Sequence, residues 1–191
     1  MIERLLENIS RIVSLTLPEQ ERLRTFWTTK TLPKDNYLFR MGEICTHDSY
    51  VASGLLKAFY INQESGREEI LFFAAEDWWA TDLASFANQQ PSLYAIQALE
   101  TTTLLQINSR QFEEMLGEIP KLERYFRIIL QQYTASLQHR IVRNLSYSAE
   151  ERYIDFYQRY PVLTKRVPQY LIASYLGVTP EFFSKLRSQN R

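Results

Sequence analysis

The chain has 191 residues, 45% of them hydrophobic, and its 22 basic side chains balance its 22 acidic ones. That length and apolar content support a buried core and exclude disordered, collagen-like and low-complexity classes. A single cysteine, Cys45, excludes an internal disulfide, a cysteine-rich zinc site and an iron–sulfur cluster within one chain. We therefore expect a globular protein whose function does not depend on cysteine chemistry.

The N-terminal segment predicts two helices. Thr16-Leu17-Pro18-Glu19 has the spacing of a capping box and marks the start of the second one. Before it, aliphatic residues recur at intervals of three and four and predict a first helix: Ile2, Leu5, Leu6, Ile9, Ile12 and Val13. Acidic residues lie among these aliphatics, unlike in a secretory signal, and no apolar run reaches the roughly 18 to 20 residues that cross a bilayer. We expect a cytoplasmic protein without a membrane partner.

From Trp27 to Asn108 the pattern changes to short runs of β-branched and aromatic residues. The predicted strands are Tyr37–Phe39, Tyr50–Ala52, Leu55–Ile61, Ile70–Phe73, Leu93–Ala98 and Thr101–Ile107. Turn-forming stretches such as residues 33–36 and 62–66 separate them. Many short strands at this spacing indicate a barrel or a sandwich.

The remainder reads as helical. Ser109–Leu116 predicts a short helix closed by Gly117, and Pro120 opens a long helix that ends near Ser146. A stripe of apolar residues runs along it: Leu122, Phe126, Ile129, Tyr133, Leu137, Ile141 and Leu145. A helix of about 25 residues is about 38 Å long, more than one small barrel covers. We therefore predict a dimer interface at the first six positions; the alternative is a helix packed wholly within its own chain.

The segment Gln169–Ser188 has the pattern of two short helices crossing at a steep angle. Ala173 supplies the small residue at the crossing and Gly177 the positive φ of the turn. Thr179 can cap the second helix. The inward apolar positions are Ile172, Leu176, Val178, Phe183 and Leu186. We interpret this segment as a helix-turn-helix that carries the function of the protein. The alternative is a compact helical hairpin used only for packing.

In a DNA-bound helix-turn-helix, the outward positions of the second helix face the major groove. These are Thr179, Pro180, Glu181, Phe182, Ser184, Lys185 and Ser188. Lys185 can donate to guanine and Glu181 can accept from cytosine. Five nearby residues are candidate phosphate contacts: Lys165, Arg166, Gln169, Arg187 and Arg191. The charge distribution favours a polyanion as the partner of the C-terminal segment. Residues 1–118 hold 10 basic and 17 acidic side chains, whereas residues 147–191 hold 7 basic and 4 acidic ones.

The whole arrangement resembles the Crp/Fnr family. Its most specific stretches are Tyr37–Glu43, Gly54–Lys57 and Val167–Arg187. The resemblance implies an α+β fold: an N-terminal antiparallel, cyclic-nucleotide-binding-like β-roll, a long dimerisation helix, and a C-terminal helical, winged-helix-like DNA-binding domain. It implies a sensor over residues 1–118, the dimerisation helix over 119–146 and the DNA-binding domain over 147–191. The implied partners are a second copy, double-stranded DNA with a two-fold symmetric site, and RNA polymerase.

The sensor half departs from the family's cyclic-nucleotide binders, which follow a Gly-Glu pair by Arg-Ser or Arg-Thr in their phosphate cassette. Here Ser92 matches, but Pro91 stands where arginine is expected. Glu76, Asp77 and Asp82 add negative charge, and no Arg or Lys occurs between residues 67 and 110. We therefore expect no binding of cyclic AMP through the usual cassette, and no cofactor. An apolar effector pocket is a further hypothesis, whose alternative is ordinary core packing: Trp78, Trp79, Phe86, Ser92 and Tyr94.

Two other functions are alternatives to DNA binding. A cupin-type enzyme needs two or three histidines and a carboxylate around one metal, and this sequence has only His47 and His139. No catalytic triad, P-loop or GxGxxG pattern occurs, so we expect neither a catalytic residue nor a metal site. A dimeric interaction module that binds a ligand or a protein, but no DNA, is the remaining alternative.

Overall fold

The computed structural model describes residues 1–189, and for Gln189 the backbone alone. Two helices open the chain, α1 (Ile2–Ser10) and α2 (Leu17–Arg24). The predicted capping box of α2 is present, since the Thr16 side chain accepts the Glu19 N–H and the Glu19 carboxylate accepts the Thr16 N–H. Helix α1 buries Leu5 and Ile9 against the sheets that follow. The predicted N-terminal helices are confirmed.

Seven strands among the described residues form two antiparallel sheets. They are β1 (Thr28–Leu32), β2 (Tyr37–Phe39), β3 (His47–Ser53), β4 (Leu56–Ile61), β5 (Glu68–Ala74), β6 (Ala95–Ala98) and β7 (Thr102–Asn108). One sheet has the order β1-β7-β3 and the other the order β2-β6-β4-β5. Residues from both sheets meet in one buried cluster, which includes Val51, Leu56, Ile96 and Leu104. We call this layered unit the roll.

The sequence missed two elements of the roll. Strand β1 reads Thr-Thr-Lys-Thr-Leu, and only Leu32 is buried, so this outer strand lacks the apolar alternation that marks a half-buried strand. Helix α3 (Leu83–Asn88), between β5 and β6, has only six residues, too few to show a helical period.

Two helices follow the roll, α4 (Ser109–Glu118) and α5 (Lys121–Ser146). Helix α4 continues through Gly117 to Glu118, so the prediction that Gly117 closes it was wrong by one or two residues. With its 26 residues, α5 is about 39 Å long at 1.5 Å per residue. No helix of residues 1–189 is long and apolar enough to cross a membrane.

Four helices complete the described chain: α6 (Ala149–Arg159), α7 (Leu163–Arg166), α8 (Gln169–Leu176) and α9 (Pro180–Gln189). We call them the C-terminal unit. Their apolar residues, such as Phe156 and Ile172, form one buried cluster with Phe59 and Phe73 of the roll. The C-terminal unit therefore packs directly on β5 and on Phe59 of β4. The architecture is the predicted α+β arrangement of antiparallel sheets, a long helix and a helical C-terminal unit.

Candidate functional site

Helices α8 and α9 form the predicted pair around a tight turn. Gly177 adopts φ +66°, and its N–H donates to the carbonyls of Ala173 and Ser174, so a left-handed residue caps α8. The Thr179 hydroxyl accepts the N–H of Phe182 at 3.2 Å and caps α9. Both local predictions are confirmed.

The two faces of α9 differ sharply in burial. Phe183 and Leu186 point into the core, and the Phe183 ring meets that of Tyr153 at 5.5 Å between centroids. The residues of the opposite side are exposed: Thr179, Pro180, Glu181, Phe182, Ser184, Lys185 and Ser188. Helix α9 therefore presents one polar surface that the described chain leaves uncovered, and this surface holds the predicted base-reading positions.

Glu181 carries a negative charge on that surface. Hydrogen bonds from its own backbone N–H and from the Thr179 hydroxyl lower the pKa of its carboxyl below the ordinary value. The side chain is consequently ionised at neutral pH and can only accept hydrogen bonds. Lys185, one turn further, supplies three donors. An acceptor and a cation next to each other match the mixed donor and acceptor pattern of base edges in the major groove.

The five candidate phosphate contacts do not share one environment. Lys165 and Gln169 are exposed beside the start of α8, and Arg187 is half-buried. Arg166 is not free, because its guanidinium pairs with Glu76 and Glu100 of the roll. Arg191 lies outside the described residues.

The apolar stripe of α5 divides into a covered and an uncovered part. Leu122 and Phe126 are buried against the roll and α1, and Ile129 packs partly on the same cluster. Beyond them the large side chains emerge into solvent: Leu130, Tyr133, Leu137, Ile141, Val142 and Leu145. The alternative of a helix covered entirely by its own chain is therefore wrong for the second half of α5. At the predicted interface, the first two positions are already covered and the last three are exposed.

The stretch that corresponds to the family's phosphate cassette is filled by the protein's own groups. One oxygen of Asp82 accepts the N–H groups of Ala84 and Ser85, both at 3.1 Å, and so caps α3. Its other oxygen accepts the Ser92 hydroxyl at 2.6 Å. A carboxylate thus occupies the helix end that would attract an anion, and it takes up the one residue that matches the cassette.

The five residues of the hypothetical effector pocket lie in different clusters. Trp78 packs on Tyr160 of the C-terminal unit, whereas Trp79 packs on the other side of the roll with α5. Phe86 and Tyr94 belong to the core between the sheets. These ring contacts are those of ordinary core packing. The effector pocket remains a prediction.

Cys45 is buried in the roll. Burial raises the pKa of the Cys45 thiol to about 11, so it is not a reactive thiolate. His139 is exposed on α5. No group of three or more metal-ligating side chains occurs within the described part of the chain.

These observations define a class: a cyclic-nucleotide-binding-type β-roll joined by a long helix to a helix-turn-helix. Comparisons with known proteins agree with it, since residues 29–118 match the model of the cyclic nucleotide-binding domain. The chain is thus similar in sequence and fold to regulators of the Crp/Fnr family.

Two relatives illustrate the similarity. The chain is 29% identical over 171 residues to the "Anaerobic regulatory protein" of Aggregatibacter actinomycetemcomitans, covering 82% of this chain and 64% of that protein. It is 26% identical over 147 residues to the "Transcriptional activator protein anr" of Pseudomonas aeruginosa, covering 75% and 58% respectively. The chain therefore spans less than two thirds of the length of these relatives.

Solved structures show the same fold at lower sequence identity. The c-di-GMP responsive global regulator CLP of Xanthomonas campestris superposes with a TM-score of 0.71 at 15% identity, covering 91% of both chains. The catabolite activator protein of Thermus thermophilus superposes with a TM-score of 0.57 at 17% identity, covering 92% of this chain and 84% of that one.

Proposed function

We propose that the protein is a transcription regulator that binds double-stranded DNA as a homodimer, each copy placing α9 in the major groove of one half of a two-fold symmetric site. The observation that carries the proposal is the uncovered polar face of α9, with Glu181 and Lys185 on it. The names of the relatives, a regulatory protein and a transcriptional activator, support the same role. This function would place the protein in the cytoplasm, and it is not that of an enzyme.

The second half of α5 supports the dimer. Its exposed side chains recur at three and four residues from Leu130 to Leu145, the spacing that two helices bury against each other. A symmetric pair of α9 helices would then contact half-sites about one helical turn apart, roughly 34 to 36 Å. RNA polymerase stays a partner that the family resemblance implies.

The sensor half supports a regulator that does not use cyclic AMP in the usual way. The Asp82 carboxylate at the start of α3 would repel a cyclic phosphate, and Ser92 donates its hydroxyl to Asp82. We expect a thermal-shift measurement with cyclic AMP to give no stabilisation, because only a ligand that binds the folded state raises the melting temperature.

Binding to fragments selected from random DNA tests the function. A dimer that neutralises about six to ten phosphates should lose about 10³- to 10⁵-fold in affinity between 50 and 200 mM salt. No binding at low ionic strength would favour the alternative, a dimeric interaction module without DNA affinity.

Two exposed lysines allow the proposed base contacts of α9 to be distinguished from phosphate contacts. Lys185→Ala should relax the preference at one operator base pair by about 1 to 3 kcal/mol, because it removes a base contact. Lys165→Ala should weaken binding to all sequences alike and lower the salt dependence, because it removes a phosphate contact. Equal effects of the two variants on operator and random DNA would contradict the assignment of α9 as the reading helix.

A further inference from the structure

A double ion pair of Arg166 joins the C-terminal unit to the roll. Its guanidinium donates to Glu76 at 2.7 and 3.0 Å and to Glu100 at 3.0 and 2.7 Å. Each carboxylate is held by two hydrogen bonds, the geometry in which arginine binds most strongly. All three nitrogens of the side chain are thus occupied.

The two carboxylates sit on fixed parts of the roll. Glu76 follows β5, and one of its oxygens also accepts the N–H of Gly54 at 2.8 Å. Gly54 has φ +102° and lies directly against the backbone of Thr102, at the start of β7. Glu100 precedes β7 in the same region. The roll therefore presents a preformed receptor for one guanidinium.

Further contacts hold α8 on the roll at the same interface. The Ser174 hydroxyl accepts the Ile70 N–H at 3.1 Å and donates to the Glu68 carbonyl at 2.9 Å. Arg140 of α5 donates to the carbonyls of Ile70 and Leu71 and stacks on the Tyr175 ring. The C-terminal unit is consequently docked, with Arg166 at the end of α7, three residues before α8 begins.

A guanidinium uses the same planar fork for a carboxylate and for a phosphate, so Arg166 cannot serve both at once. We propose that Glu76, Arg166 and Glu100 form an autoinhibitory latch, in which two carboxylates of the roll occupy the arginine that a DNA phosphate would otherwise bind. The docked form is then the form of low DNA affinity, and release of Arg166 is coupled to DNA binding. This inference rests on the proposed DNA-binding function.

A double-mutant cycle tests the latch. Glu76→Gln with Glu100→Gln removes both charges while keeping the side-chain size and an acceptor for Gly54. This variant should bind DNA more tightly, within the 5- to 150-fold range that is typical of coupling between sites. The same pair of substitutions in an Arg166→Gln background should leave affinity unchanged, because no guanidinium remains to be released. An equal gain in both backgrounds would overturn the proposal.

The matched control removes two exposed carboxylates outside the latch, Glu64→Gln with Glu113→Gln. A general loss of repulsion would raise DNA affinity in this control as much as in the latch variant, and that result would also overturn the proposal. If neither the wild type nor any variant binds DNA at low salt, the proposed function itself fails.

Hydrogen exchange reports on the latch without DNA. The Ile70 amide is protected by Ser174 of α8, so it should exchange faster in Glu76→Gln with Glu100→Gln and at the wild-type rate in the control. Unchanged protection of Ile70 in a latch variant with wild-type circular dichroism would show that the ion pairs do not hold the docked state.

Discussion

The exposed stripe of α5 allows the dimer to be tested by a single charge. Ile141 is 59% exposed, and full burial of such a side chain contributes about 1.5 to 3 kcal/mol. The part still exposed is therefore worth about 1 to 2 kcal/mol per copy. A two-fold interface contains the residue twice. Ile141→Asp should weaken the dimer by at least about 2 to 4 kcal/mol, or roughly 30- to 1,000-fold in the dissociation constant.

Sedimentation equilibrium over a range of protein concentrations measures this shift. Leu17→Asp is the matched control, because Leu17 is 75% exposed but lies on α2 and not in the exposed stripe of α5. Only the Ile141 variant should dissociate, and at the same concentrations it should lose affinity for a full operator while keeping weak half-site binding. A dimer that tolerates Ile141→Asp, or that dissociates with Leu17→Asp instead, would refute the reasoning.

Three further predictions concern separate parts of the molecule. A Cβ on Gly54 would lie 2.5 Å from the Thr102 hydroxyl and 2.6 Å from its Cα, so Gly54→Ala should cost about 2 to 5 kcal/mol in urea unfolding. Gly66→Ala, at φ +66° in open space, should cost only about 1 to 2 kcal/mol; equal losses would contradict the clash. Burial raises the pKa of Asp48 to about 6, so the folded state binds this proton more tightly than the unfolded state does. The contribution of Asp48 to stability is therefore highest below about pH 4 and falls by about 3 kcal/mol in total as the pH rises through about 6. The stability of Asp48→Asn relative to wild type should rise over that range, and a flat difference would exclude the effect. Finally, Phe182 is 45% exposed beside Lys185, and an aromatic side chain there can contact a thymine methyl group. Replacing one operator thymine by deoxyuracil should cost about 0.8 kcal/mol, roughly fourfold, in the wild type and nothing in Phe182→Ala.

Local signals in the sequence were enough to place most elements. The capping box at Thr16 marks the start of α2 because it depends on residues only three positions apart. The helix-turn-helix could be predicted because Gly177 and the apolar positions around it lie within one short segment. The stripe of α5 has a regular period over many turns. In each case the determinants are neighbours in the chain.

Contacts between distant segments could not be predicted in the same way. Arg166 was expected to be a phosphate contact because it is a basic residue beside α8. Its partner Glu76 precedes it by 90 positions and Glu100 by 66, and no sequence pattern links them. Likewise, Asp82 was recognised as a negative charge, but its role as the cap of α3 depends on a helix too short to have a period. The residues of the candidate site could thus be predicted from the sequence, but their hydrogen-bond and ion-pair partners could not.

The place of Ser174 has a consequence for engineering. Strand β5 ends its sheet, and an outer strand with free backbone groups readily pairs with another chain. Ser174 of α8 and Arg140 of α5 bond the backbone N–H and carbonyl of Ile70 in β5. These two helices therefore cover the outer edge of the sheet. A chimera that grafts this roll onto a foreign DNA-reading unit must bring its own cover for β5, or it will aggregate through that strand.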